Sequence, residues 1–220
     1  MDYKRITLLC GHYGSGKTNV AVNMALDLKK QYENVAIADL DIVNPYFRTK
    51  DSAEELGNAE IQLIASEYAG TNVDIPAMPQ QMYAITANKN IKAIIDVGGD
   101  DRGALALGRI ADAIKEENDY EMIFVINCYR PLTRDAKSTI EVMNEIENAC
   151  NIKFTSIINN SNLGEETKAC DVINSLPYAE EVSKLTGLPI KCTTVHKKLL
   201  CEVQDVKTDV FPLELQQKIH

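Results

Sequence analysis

Leu8–Ala21 reads LLCGHYGSGKTNVA, and within it Gly11–Thr18 has the spacing G-x-x-x-x-G-K-T. The run before it, Arg5–Cys10 (RITLLC), is apolar and short, as a buried strand requires. The run after it, KTNVAVNMALDLKKQ, places Val20, Met24, Ala25 and Leu28 at helical spacing. A strand, a glycine loop and a helix in that order build a phosphate cradle. Glycines let the backbone turn tightly and aim several N–H groups at phosphate oxygens, and the helix adds its positive dipole end. Gly11, Gly14, Ser15 and Gly16 are the predicted cradle, Lys17 reaches the β- and γ-phosphates, and Thr18 offers a hydroxyl to Mg²⁺. A competing glycine pattern, G-x-G-x-x-G of dinucleotide sites, begins at Gly14-Ser15-Gly16 with Asp39 near the right distance. Its third position is Asn19, and a loop lysine is not part of that design.

Working outward, apolar runs alternate with helical patterns along most of the chain. NVAIAD, AEIQLIA, IKAIIDV, YEMIFVINC and KFTSIINN read as further strands. Helices are predicted around Pro79–Ala87, over Ala104–Glu117, from about Arg134 to Cys150, and from EETKACDVINS onward. Such alternation predicts one α/β domain over residues 1–220, a three-layer sandwich with a mostly parallel sheet. The irregular stretches Asn44–Asp51 and Glu67–Pro79 follow strand ends, where sheets of this kind carry ligand loops.

Parallel strands bring their C-terminal ends to one edge, beside the glycine loop. Asp39 and Asp41 end the second strand (VAIADLDIVNPYFR), and Asp96 ends another (IKAIIDVGGDDRG). Asp96 stands where a Mg²⁺-supporting acid belongs, with Thr18 and Asp41 as the other metal candidates. Asp39 and Asp41 are candidates for positioning an attacking water. Gly99, in D-x-x-G spacing, lets a backbone N–H approach a γ-phosphate. Each aspartate alone reads equally as a turn or helix cap; three at strand ends beside the loop favour chemistry.

The set GHYGSGKT, DLDIVNPYFR and IIDVGGD resembles the P-loop nucleotide-binding domain shared by the MinD/ParA/Mrp ATPases and by the cobyrinic acid synthase (CobQ/CobB) and dethiobiotin synthetase ligases. That resemblance, which extends to roughly Leu200, implies a catalytic aspartate at Asp41 and a second switch over Asp96–Gly99. It also implies an adenine contact from the asparagines of IINN, Asn159 or Asn160. No N-K-x-D sequence is present, which favours ATP over GTP. Dimerising members carry, where His12 stands, a lysine that crosses the interface; histidine is shorter, and Tyr13 replaces a small glycine. A homodimer is therefore left open. The readings implied are a switch or maturation ATPase acting with a protein partner, an ATP-dependent small-molecule ligase or kinase, and a nucleotide sensor without turnover. Metallochaperone GTPases share the loop ending but carry His/Cys runs that this chain lacks.

The 220 residues carry a formal net charge of -9, with 45% hydrophobic and 25% charged residues. An acidic chain without basic runs disfavours nucleic-acid binding. No apolar run spans a bilayer, neither end reads as a signal peptide or membrane anchor, and six scattered cysteines predict reduced thiols in a cytoplasm. Arg48, Arg102 and Arg109 are candidate clamps for a γ-phosphate or an acidic substrate, with a solvated surface arginine the plainer reading of each. The loop NPYF (44–47) is a partner loop or an apolar cap over the sheet edge, and Asp100 and Asp101 are weaker acid candidates. Cys192, His196 and Cys201 fit no common metal spacing.

Overall fold

Eight parallel strands form one sheet in the order β3-β2-β4-β1-β5-β6-β7-β8 in the computed structural model, which describes residues 2–40, 52–65, 80–99, 101–203 and 206–216. Within the helices, the side chains of residues 80, 81, 101 and 102 are outside that description. The strands are β1 Ile6–Cys10, β2 Val35–Leu40, β3 Gln62–Ala65, β4 Lys92–Val97, β5 Tyr120–Ile126, β6 Ser156–Asn159, β7 Ile190–His196 and β8 Val210–Leu213. The helices are α1 Lys17–Lys29, α2 Ala53–Asn58, α3 Gln80–Ala87, α4 Asp101–Gly108, α5 Ala111–Glu117, α6 Ala136–Cys150 and α7 Ala169–Thr186.

The central strands read as continuous apolar runs because both faces are covered. Their side chains alternate between two cores. Ile6, Leu8 and Cys10 face one, with Met82, Leu107, Ile114 and Met143 from α3 to α6. Leu9, Ile37, Ile94 and Ile123 face the other, with Val20, Met24 and Leu28 of α1 and Leu56 of α2. The sandwich therefore has α1 and α2 on one side of the sheet and α3–α7 on the other.

Two details depart from the sequence reading. The helix expected over Ala104–Glu117 is two helices, α4 and α5, broken at Arg109–Ile110. The break follows Gly108, whose missing side chain leaves little to hold the helical turn. The sheet also continues past the anticipated strands: β7 pairs with β6, and β8 pairs with β7 in register Thr193↔Val210. The β8 burial alternates between exposed and buried, a pattern too short to stand out in sequence. No described helix is long and apolar enough to cross a membrane.

Candidate functional site

The glycine loop leaves β1 at Cys10 and enters α1 through Gly16, which caps the helix in the left-handed region at φ 81°. Gly14 is also left-handed, at φ 76°. Alternating hands turn successive N–H groups inward and carbonyls outward, which is the nest that anions occupy. Three of the loop carbonyls are held. His12 carbonyl accepts from Ser15 N–H at 3.1 Å. Gly14 carbonyl accepts from Arg130 Nε at 2.7 Å, and Ser15 carbonyl from Asn160 Nδ2 at 2.6 Å. Ser15 Oγ is buried without a hydrogen-bond partner among the described residues.

Lys17 and Thr18 open α1 and are buried, Lys17 to 4% exposure. Lys17 forms no ion pair or hydrogen bond among the described residues. A buried ammonium without an acceptor is costly, so it marks a place shaped for an anion. Its charge and the Asp96 carboxylate both act on the Cys10 thiol beneath the loop. That thiol is pushed up first by burial, then by Cys150, with Lys17 opposing and Asp96 adding to the rise. Lys17 and Asp96 thus both lie within electrostatic reach of Cys10 at the end of β1.

Asp39 and Asp96 are register partners across β2 and β4, and Asp96 is also the partner of Leu9 in β1. Residues two before them, Ile37 and Ile94, face α1. By strand periodicity, both carboxylates therefore project on the α1 side, at the edge where α1 begins. Asp96 is fully buried and Asp39 is 8% exposed. Thr18, Asp39 and Asp96 accordingly lie at one edge of the sheet and carry hard oxygen donors of the kind that Mg²⁺, an ion that keeps most of its waters, accepts. Among the described residues no group of three or more His, Cys, Asp or Glu side chains is placed to hold a metal ion.

Gly99 brings the loop after β4 onto the phosphate loop. A Cβ placed there would lie 2.6 Å from Tyr13 N and 3.0 Å from Gly11 carbonyl O. Only a residue without a side chain allows these two backbones to meet.

Asn159 and Asn160 are buried behind the loop with their side chains engaged inside the protein. Asn159 Nδ2 donates to Ser175 Oγ at 2.9 Å, and its Oδ1 accepts from Ser161 N–H at 3.3 Å. Asn160 links Ser15 carbonyl to Thr194 Oγ1, which donates to its Oδ1 at 2.5 Å. Beside them a small cleft is lined by Asn162, Gly164, Thr194, His196 and Leu215.

Of the other candidates, Arg109 is exposed in the turn after α4. His12 is half-buried with Nδ1 3.0 Å from Tyr13 carbonyl O, and the Tyr13 ring is 48% exposed. Asp41, Arg48, Asp100, the NPYF loop and the 67–79 stretch lie outside the described residues, as do the side chains of Asp101 and Arg102. Arg130, Asn127 and Thr194 were missed. All three sit at or just past strand ends, as Asp39 and Asp96 do, so the strand-end rule applied to NCYRPLT and TTVH was the available signal.

All six cysteines are free thiols. Cys10, Cys150 and Cys192 are buried, and burial pushes the Cys192 thiol up to about 12. At pH 8, brief iodoacetamide treatment followed by mass spectrometry should modify the exposed Cys170 and Cys201 first and Cys128 slowly. Labelling of Cys10 at the rate of Cys170 would contradict the buried placement of β1.

A match to the CobQ/CobB/MinD/ParA nucleotide-binding domain family spans residues 6–187. Solved structures share the fold. FtsY of Mycoplasma mycoides is 19% identical with a TM-score of 0.56, covering 84% of this chain and 58% of that one. The cell division protein FtsY of Thermotoga maritima is 18% identical with a TM-score of 0.57, covering 86% and 61%. The signal recognition particle receptor FtsY of Elizabethkingia anophelis, solved in complex with GDP, is 14% identical with a TM-score of 0.50, covering 89% and 58%. The chain thus spans about three fifths of the length of these structures. No curated protein matches it.

Proposed function

The chain belongs to the CobQ/CobB/MinD/ParA nucleotide-binding domain family, and on that premise we propose that it binds Mg-ATP at Gly11–Thr18 and hydrolyses it slowly, as a switch or maturation ATPase working with a protein partner. The observation that carries the reading is Lys17, a buried cation at the mouth of a nest of N–H groups, with no counter-ion among the described residues. A polyphosphate supplies the missing negative charge.

The residues divide the work by chemistry. The nest and the start of α1 bind the phosphates. Lys17 neutralises the β- and γ-oxygens. Thr18 Oγ1, Asp39 and Asp96 fit Mg²⁺, which when bound polarises the phosphoryl oxygens. The Gly99 backbone lies against Tyr13 N and Gly11 O, so a change at the γ-phosphate would reach the loop after β4 directly. Asp41, by the resemblance, orients the attacking water.

The preference for adenine rests on the sequence at the end of β6, Asn159-Asn160-Ser161-Asn162, which lacks the lysine and acid of a guanine-reading loop.

Competition between labelled ATP and unlabelled ATP or GTP, with and without Mg²⁺, tests binding. Steady-state turnover and light scattering with and without ATP test use. Slow basal turnover with ATP preferred is expected. Tighter binding of GTP would overturn the base assignment, and fast turnover that needs an added small carboxylic acid would overturn the switch. Asp96→Asn keeps the shape and removes the charge. It is expected to raise the Mg²⁺ concentration for half-maximal ATP binding about tenfold or more, read by titrating Mg²⁺ at fixed ATP. An unchanged midpoint would remove Asp96 from the metal site.

A further inference from the structure

The nest works only if its outward carbonyls stay outward, and two side chains from separate strand ends hold two of them. Asn160, after β6, holds Ser15 carbonyl. Arg130, four residues past the end of β5, holds Gly14 carbonyl through Nε at 2.7 Å. Arg130 lies so close over the loop that a Cβ at Gly14 would stand 3.4 Å from Nε and 3.6 Å from Cδ.

The arginine is itself held in place. Its N–H donates to Asn127 carbonyl at 3.2 Å, and the same carbonyl accepts from Thr133 Oγ1 at 2.7 Å. Asn127 Oδ1 accepts from Tyr129 N–H, and its Nδ2 reaches Asn162 carbonyl at 3.2 Å. The guanidinium forms no ion pair among the described residues. It is half-buried, and its charge acts on the loop with no carboxylate paired to it among the described residues.

We propose that Arg130 is a positioning residue that preorganises the phosphate loop by fixing Gly14 carbonyl, and that its charge adds to Lys17 in drawing polyphosphate into the loop. The proposal rests on the nucleotide-binding reading above. A bond from a charged donor is stronger than a neutral one and aligns the peptide on both sides of Gly14. Without it, the Gly14–Ser15 peptide, whose N–H donates to His12 carbonyl, is held at one end only, and the turn that carries Gly14 and Gly16 loses its fixed orientation.

The test compares Arg130→Ala, Arg130→Gln and Arg130→Lys with wild type by calorimetric titration of Mg-ATP and Mg-ADP at several salt concentrations. Affinity should fall about tenfold or more in the Ala and Gln variants, the scale of one lost charged hydrogen bond. Lys should restore part of it. The salt dependence of binding should become shallower in Ala and Gln but not in Lys, a change that loss of packing alone would not produce. Circular dichroism and thermal melting confirm that each variant is folded. If Ala melts early, Gln and Lys carry the comparison. Wild-type affinity in Ala, or wild-type affinity and salt slope in Gln, overturns the proposal. Lys17→Ala is the control: unchanged affinity there would sink the nucleotide reading itself, whereas loss there with no change at Arg130 sinks only this inference.

Discussion

Lys17→Met is expected to lower affinity for a nucleoside triphosphate by two orders of magnitude or more, and at the same time to raise the melting temperature of the nucleotide-free protein. Both halves come from one fact. Lys17 is buried at the first position of α1 with no acceptor among the described residues. In the free protein its ammonium has left water without gaining a partner among the described residues, at a cost of about 1 kcal/mol or more. Methionine keeps the length and the apolar stem and removes the charge. For a chain of this size each kcal/mol moves the midpoint by about 2–4 °C, so a rise of a few degrees is expected. In the bound protein the same ammonium makes charged hydrogen bonds to phosphate, each contributing about 1.5–3 kcal/mol. Two such bonds correspond to roughly a 100-fold or larger change in affinity. Differential scanning calorimetry without ligand and a binding titration read the two effects separately. A lower melting point, or affinity within tenfold of wild type, would show that Lys17 is a structural residue.

Gly11→Ala is expected to have the largest effect on folding of any single methyl added in the loop. The new Cβ would sit 2.3 Å from the carbonyl oxygen of Val125 and 3.1 Å from Ser15 Oγ. The oxygen belongs to β5, which is paired with β1 at the centre of the sheet, Cys10 opposite Phe124. Neither strand can yield, because each is packed on both faces and hydrogen-bonded along its length. Overpacking of this kind costs about 1–3 kcal/mol where neighbours are flexible; against backbone in a central strand, about 3 kcal/mol or more is expected. The midpoint should therefore fall by roughly 6–12 °C, with nucleotide affinity lost in whatever remains folded. A thermal melt with wild-type midpoint would mean that the chain leaves β1 along a different path.

Most of the architecture is legible because burial on both faces makes each central strand a plain apolar run between helical repeats. IKAIIDV and YEMIFVIN needed no tertiary information. The α4–α5 break was not legible, since Leu107, Ile110, Ala111 and Ile114 all face one core and keep helical spacing across it. The last strands were missed for the opposite reason: β8 is a four-residue edge strand, with too few residues to establish a period.

The site divides in the same way. The cradle is local, so Gly11, Gly14, Gly16, Lys17 and Thr18 are written within one eight-residue stretch with one geometric solution. The acids Asp39 and Asp96 follow from parallel strands sharing an edge. Arg130 and Asn160 hold Gly14 and Ser15 from 116 and 145 residues away, and no spacing rule connects positions so distant. By itself, the sequence determined that the chain folds as a parallel α/β sandwich with a phosphate loop after its first strand, because strand, turn and helix signals act between near neighbours. Only the tertiary structure decided which side chains hold that loop open, because those contacts exist only once β1, β5, β6 and β7 lie side by side.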